Sequence, residues 1–235
     1  MRHIGILAHS ADGAALCFVE ACRDAEYRHP EITMSILPMG EVFDAYERGD
    51  FAAIGAYLAR TAQRLADAGC DFFACADNTA HLALEAYGPR LPLPGLHVAE
   101  LVARRARADR RACVGLLGTR LTMEGSTYRD AFARAGVALR VPPPDERARV
   151  SEIIFAELCH GVLRDSSRAE YVRVIERLRA GGCDAVVLGC TEIPLLVTPD
   201  VSPLPTLDST RLLAREAVRV ERGEAELPTW RGGPP

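Results

Sequence analysis

The 235-residue chain contains no lysine, so all 28 of its basic residues are arginines. Without lysine, the usual Schiff-base anchor for pyridoxal phosphate is missing. Metal chemistry has no foothold either: there is no Cys-x-x-Cys pair and no His/Cys cluster at zinc-ligand spacing. The expectation is a protein with neither cofactor nor metal. No apolar run reaches the roughly 18 residues that span a bilayer. The opening Met1-Arg2-His3-Ile4-Gly5-Ile6-Leu7 has too short an apolar run for a signal peptide and reads as a first strand. A net charge of −4 and a pI near 5.9 leave no nucleic-acid footprint. The one basic cluster, Arg104-Arg105-Ala106-Arg107 with Arg110 and Arg111, has no interleaved aromatics and reads as a solvated helix face. Neither nucleic acid nor membrane is expected as a partner.

What is present is ordinary globular composition, 49% hydrophobic and 26% charged. The length suits one large or two small α/β domains with a real core. Eight cysteines are scattered through the chain rather than framed for disulfides. Reduced thiols and a cytoplasmic location follow as expectations.

Short apolar runs alternate with longer amphipathic stretches, the pattern of βα units around mostly parallel sheets. The expected strands are Ile4–Ala8, Thr33–Pro38, Phe72–Cys75, Val114–Leu117, Ala138–Val141 and Ala185–Leu188. Helices are expected within Phe51–Ala68, Met123–Ala135, Ile153–Val162 and Ala169–Ala180. Val141-Pro142-Pro143-Pro144-Asp145 reads as a loop, since successive prolines continue neither a helix nor a central strand.

An internal repeat organises these parts. Ile4-Gly5-Ile6-Leu7-Ala8-His9 resembles Val114-Gly115-Leu116-Leu117-Gly118-Thr119, 110 residues later. Gly69-Cys70-Asp71-Phe72-Phe73-Ala74-Cys75-Ala76-Asp77-Asn78-Thr79 lines up with Gly182-Cys183-Asp184-Ala185-Val186-Val187-Leu188-Gly189-Cys190-Thr191-Glu192, 113 residues later. The fold expected is α/β: two pseudo-symmetric Rossmann-like halves, residues 1–98 and 99–208, with a cleft between them. The C-terminal segment 209–235 is free to return to the first half. Ligands of open α/β sheets bind beyond the carboxyl ends of the strands. The register puts Asp77 and Cys190 at equivalent strand ends, an arrangement suited to proton transfer on two faces of one carbon.

Cys190 follows a glycine that permits close backbone approach, and the amides after it favour an anion, a setting for a reactive thiolate. Cys17, Cys22, Cys70, Cys113, Cys159 and Cys183 read as packing residues. Asp77 has two compatible readings, a helix N-cap and an acid–base group. Cys75, two residues earlier, is its rival. Asn78, Thr79, Thr119, Thr122 and Thr191 stand at strand ends where they can hydrogen-bond a carboxylate, or act only as turn and cap residues. His9 and Ser10 occupy the first strand-end loop, with Gly13 allowing a tight turn. His81 falls in the first turn of the following helix, where a histidine is usually structural, with its charge also able to tune the acid–base groups. Arg120 is the candidate to pair a second substrate carboxylate.

At these residues the chain resembles the aspartate/glutamate/hydantoin racemase family, which carries Cys-Asn-Thr-Ala-His in its first half and Gly-Cys-Thr-Glu in its second. Here the second motif is intact as Gly189-Cys190-Thr191-Glu192-Ile193-Pro194-Leu195. The first survives as Asn78-Thr79-Ala80-His81, with Asp77 in the cysteine position. Gly118-Thr119 with Thr122, and Asp208-Ser209-Thr210, resemble two further family segments; Leu212 and Leu213 stand where a histidine is common. Ala8-His9-Ser10-Ala11-Asp12-Gly13 departs from the Gly-Gly-Met-Gly-Pro loop of typical aspartate racemases. The resemblance implies deprotonation at Cα of an amino acid or related acid, without pyridoxal phosphate or metal, in a homodimer. Cys190 and Asp77 would be catalytic. Asn78, Thr79, Thr119, Thr122, Thr191, Glu192, His9 and Ser10 would bind substrate. An aspartate has a solution pKa near 4 against about 8.5 for a thiol, so burial would have to raise it. Two other readings stay open: an arylmalonate-type decarboxylase, and a small-molecule-binding homologue without turnover.

Overall fold

A computed structural model describes residues 1–23 and 28–231. The chain folds into two units, Met1–Val98 together with the segment from Thr210 onward, and Ala99–Ser209.

The first unit runs β1 (Ile4–Ala8), α1 (Ala11–Arg23), β2 (Ile32–Ile36), α2 (Phe43–Arg48), α3 (Phe51–Asp67), β3 (Phe72–Ala74), α4 (Ala80–Ala86) and β4 (Gly95–Leu96). Its sheet has the order β2-β1-β3-β4, with every pairing parallel. β1 and β3 are buried along their whole length, as expected of strands covered on both faces. One face packs against α3, where Ile54, Leu58, Ala62 and Leu65 form a buried stripe at helical spacing.

The chain enters α5 (Val98–Ala108) and continues through β5 (Cys113–Gly118), α6 (Arg120–Glu124), α7 (Ser126–Ala135), β6 (Ala138–Arg140), α8 (Pro144–Ala156), α9 (Asp165–Ala180), β7 (Ala185–Gly189), α10 (Ile193–Leu196) and β8 (Thr206–Asp208). The second sheet is β6-β5-β7-β8, again parallel throughout. α11 (Ser209–Glu221) carries the chain back to the first unit.

The repeat extends to single hydrogen bonds. Cys70 N–H donates to Leu65 O and Asp71 N–H to His3 O; 113 residues on, Cys183 donates to Leu178 O and Asp184 to Cys113 O. Gly69 and Gly182 turn these corners with φ of 81° and 95°, the left-handed region that glycine enters at no steric cost. Both halves therefore enter the second strand of the repeat, β3 or β7, through the same turn.

Several expectations need correction. The loop expected over Val141–Asp145 ends at Pro143: Pro144 opens α8, because a proline at the first helical position lacks only an N–H that would go unpaired. The helix expected at Ile153–Val162 belongs to α8, which stops at Ala156. A short 3-10 turn follows at Leu158–His160, closed by Gly161. The Met123–Ala135 stretch is two helices separated at Gly125. Gly13 lies inside α1 rather than in a turn. Cys159 is exposed, so it is not a packing residue, and Cys22 and Cys113 are only partly buried. Arg104, Arg105 and Arg107 do lie on an exposed face of α5 around buried Ala106.

Candidate active site

The nominated residues form two sets, one at the carboxyl strand ends of each unit. In the second unit, β7 delivers Cys190. Gly189 runs so close to β5 that a Cβ on it would meet Leu117 O at 2.9 Å, as the glycine before the cysteine led one to expect. The Cys190 thiol donates to Glu192 Oε2 at 2.8 Å. Cys190 is partly buried, and Glu192 and Thr191 are almost wholly so. The sequence pattern pointed to backbone amides to activate the sulfur; the side-chain partner is a carboxylate, able to take the thiol's proton. Tyr171 packs behind, its hydroxyl donating to Val150 O at 3.0 Å. Burial, with the nearby Cys190, pushes that phenol well above its ordinary range, so it stays protonated.

At the end of β5, Thr119 caps α6: its Oγ1 accepts Thr122 N–H at 3.2 Å and lies 3.1 Å from Thr122 Oγ1. Both threonines are buried. Arg120 is exposed at the first position of α6, its backbone N–H donating to Ser151 Oγ. Tyr128, nominated by no sequence signal, is buried and bonds Ser209, whose hydroxyl donates to Leu188 O on β7.

In the first unit, Asp77 stands three residues past β3 and is partly exposed. Its Oδ1 accepts Ala80 N–H at 2.9 Å, so the cap reading holds for one oxygen. Asn78 is buried beside it and Thr79 leads directly into α4. Cys75 is fully buried, and burial plus the charge of Asp77 push its thiol far above the range where a thiolate forms. That makes Cys75 a poor rival for proton transfer.

His81 is buried, with both ring nitrogens engaged. Val98 N–H donates to Nε2 at 3.2 Å, so Nε2 carries no proton, and Nδ1 donates to Asp77 O at 2.8 Å. Burial, then the neighbouring His97, lower its pKa to about 4. Of the two readings of His81 the geometry favours the structural one, because near neutral pH the ring is uncharged and has no charge with which to tune the site.

His9, at the end of β1, is also buried, and its Nε2 lies 2.6 Å from the hydroxyl of Tyr46 on α2. Burial, then the charge of Asp77, keeps that phenol protonated. Ser10 accepts Gly13 N–H at 3.3 Å, as a cap of α1 would. Tyr46 and Tyr171 come from segments outside the repeated motifs, so nothing in the sequence flagged them. Among the described residues no group of three or more His, Cys, Asp or Glu could hold a metal ion, and no helix is long and apolar enough to cross a membrane.

Two four-stranded parallel sheets carry the two copies of an internal repeat, each followed by a polar loop with an ionisable residue at the same register, the mark of a duplicated α/β protein. Residues 10–217 match the Asp/Glu/Hydantoin racemase family. The chain is 32% identical over 167 residues to a glutamate racemase of Geobacter metallireducens, covering 66% of this chain and 59% of that protein. It is 30% identical over 199 residues to a glutamate racemase of Pseudomonas entomophila, covering 81% and 70%. A provisionally assigned Asp/Glu racemase from Yersinia pestis has a similar structure, with a TM-score of 0.82 at 28% identity over 94% of this chain and 100% of that one. The chain belongs to the Asp/Glu/Hydantoin racemase family.

Proposed function

We propose that the protein is a cofactor-independent racemase or epimerase that moves the proton on Cα of an amino acid or closely related acid. The observation that carries this is the Cys190 thiol hydrogen-bonded to the buried Glu192 carboxylate at the end of β7, with Asp77 at the matching register after β3. Glu192 accepts the thiol proton, and the sulfur then removes or returns the α-proton on one face. Asp77 serves the other face through the oxygen not committed to its cap. Asn78, Thr79, Thr119, Thr122 and Thr191 supply donors for the substrate carboxylate, needed because an α-proton beside an ammonium and a carboxylate is weakly acidic. His9 and Ser10 complete the binding set.

The chemistry needs no pyridoxal phosphate, and the chain has no lysine to anchor one. The two relatives compared above are glutamate racemases, which favours a dicarboxylic substrate; Arg120 is then the partner of the second carboxylate. A homodimer in the cytoplasm belongs to the same proposal and rests on the family resemblance. The test is a panel of L- and D-amino acids and hydantoins in deuterated water, followed by NMR. Deuterium entering at Cα of a substrate, with appearance of its enantiomer, supports the reading; a panel that stays fully protonated overturns it. Engagement of Asp77 by Ala80 N–H supports a second reading, one-faced protonation by Cys190 after decarboxylation of a malonate-type acid. Carbon dioxide release would mark it.

A further inference from the structure

Beyond the motif loops, the single tryptophan of the chain lies against the Asp77 segment from a part of the sequence that no motif covers. Past α11, Trp230 O accepts Gly95 N–H at 2.8 Å, forming an antiparallel bridge to β4. The next residue accepts Leu91 N–H through its carbonyl at 2.7 Å, and its guanidinium donates to Pro89 O. The C-terminal segment is thus fastened at the edge of the first sheet by the backbone carbonyls of Trp230 and the residue after it.

The indole lies flat on His81, with ring centroids 5.2 Å apart and planes 5° from parallel. It meets His97 edge-on at 4.6 Å and touches Phe73 on β3. His97 in turn bonds Glu85 at 2.8 Å. The His81 ring is therefore held in its plane by the indole and in its tautomer by Val98 N–H. In that orientation Nδ1–H donates to the carbonyl of Asp77, tying down the backbone from which the Asp77 carboxylate projects.

We propose that Trp230 is a positioning residue: through His81 it sets the orientation of Asp77, making the C-terminal segment a working part of the proton-transfer site. The proposal rests on the reading of Asp77 as a proton-transfer group. Its first test does not. The groups facing His81 are Asp77 on its own loop, Glu85 on α4, His97 after β4 and the indole from the C-terminal segment. Burial is the largest cause of the depressed His81 pKa of about 4, and the indole supplies one face of that burial.

The experiment compares parent, Trp230→Phe and Trp230→Ala, each checked for folding by circular dichroism. The His81 side-chain 15N signals are titrated by NMR between pH 3 and 8. Trp230→Ala is expected to move the His81 midpoint up by about one unit or more and to weaken the Nδ1–H signal, with Trp230→Phe in between. In kinetics, Trp230→Ala is expected to lower kcat by about tenfold or more, as a small misplacement of a reacting group does, with a smaller change in KM. Trp230→Phe should recover most of that loss. In an Asp77→Asn background the alanine substitution should have little further effect on the residual α-proton exchange. A His81 titration unchanged in Trp230→Ala, or a Trp230→Ala loss that persists undiminished in the Asp77→Asn background, would overturn the proposal. A parent protein with no exchange activity would instead overturn the functional reading and leave the NMR test of the Trp230–His81 coupling standing.

Discussion

At the end of β7 the first acceptor that the Cys190 proton meets is a buried carboxylate 2.8 Å away. A buried carboxylate that accepts a hydrogen bond from a thiol is either its base or a binding group left with one partner. Glu192→Gln separates the two, since the amide keeps the shape and cannot hold the proton. Its α-proton exchange rate, followed by NMR, is expected to fall by about 10- to 100-fold, and Cys190→Ala by at least about 100-fold with the fold retained. A Glu192→Gln rate within twofold of the parent would reduce Glu192 to a substrate contact. His81 makes a different prediction. Its folded pKa of about 4 lies below the ordinary 6.5, so in between the unfolded chain binds a proton that the native state refuses. The stabilisation is complete above about pH 6.5 and is lost as pH falls toward 4. It amounts to about 3 kcal/mol when the 2.5-unit gap is fully crossed. Urea midpoints measured from pH 7 to 4 should decline, and His81→Asn should flatten that decline.

Asp77 and Cys190 are held where they are by helix and strand packing that leaves little room for change. On α3, a Cβ at Gly55 would lie 2.5 Å from Ala83 O and 2.6 Å from Tyr87 Cβ. The first of these is backbone, so α4 would have to shift. Gly55→Ala is expected to destabilise by about 1–3 kcal/mol despite its better helix propensity, read as a lowered urea midpoint. Because α4 begins three residues after Asp77, exchange activity should fall with it. A neutral or stabilised Gly55→Ala would show that α4 moves freely. Packing of this kind explains what the sequence could and could not reveal. β1, β3, β5 and β7 were legible because strands buried on both faces read as unbroken apolar runs. β4 and β8 were not: Gly95–Leu96 and Thr206–Asp208 are two and three residues long, each entered through a proline, and carry no periodicity. The register joining Asp77 to Cys190 was legible because identical Gly-Cys-Asp turns set the same offset in both halves. Tyr46, Tyr171 and Trp230 were not, since each reaches its site by tertiary packing from unrepeated chain.

In the molecule as a whole, each half contributes one strand-end group, but duplication has left the two unlike: a thiol with a carboxylate partner in one, and a carboxylate that also caps a helix in the other. On the proposed reading, one face of the α-carbon would be served by sulfur and the other by oxygen. Enantiomers have equal energy, so kcat and KM would differ between the two directions while kcat/KM stays equal. Asp77→Asn tests this division of labour. Asparagine caps a helix about as well as aspartate, so stability should change by only a few tenths of a kcal/mol. The amide cannot titrate, so proton transfer on its face should stop. Starting from the enantiomer that Cys190 deprotonates, deuterium should still enter at Cα with retention, while the opposite enantiomer fails to appear. Asp77→Cys should restore a two-thiol pair and bring the kcat values of the two directions closer together, with kcat/KM equal in both. Interconversion by Asp77→Asn at a rate close to the parent would leave Asp77 as a cap alone. The second proton group would then have to be sought among the phenol of Tyr46 and the imidazole of His9, which share a hydrogen bond at the end of β1.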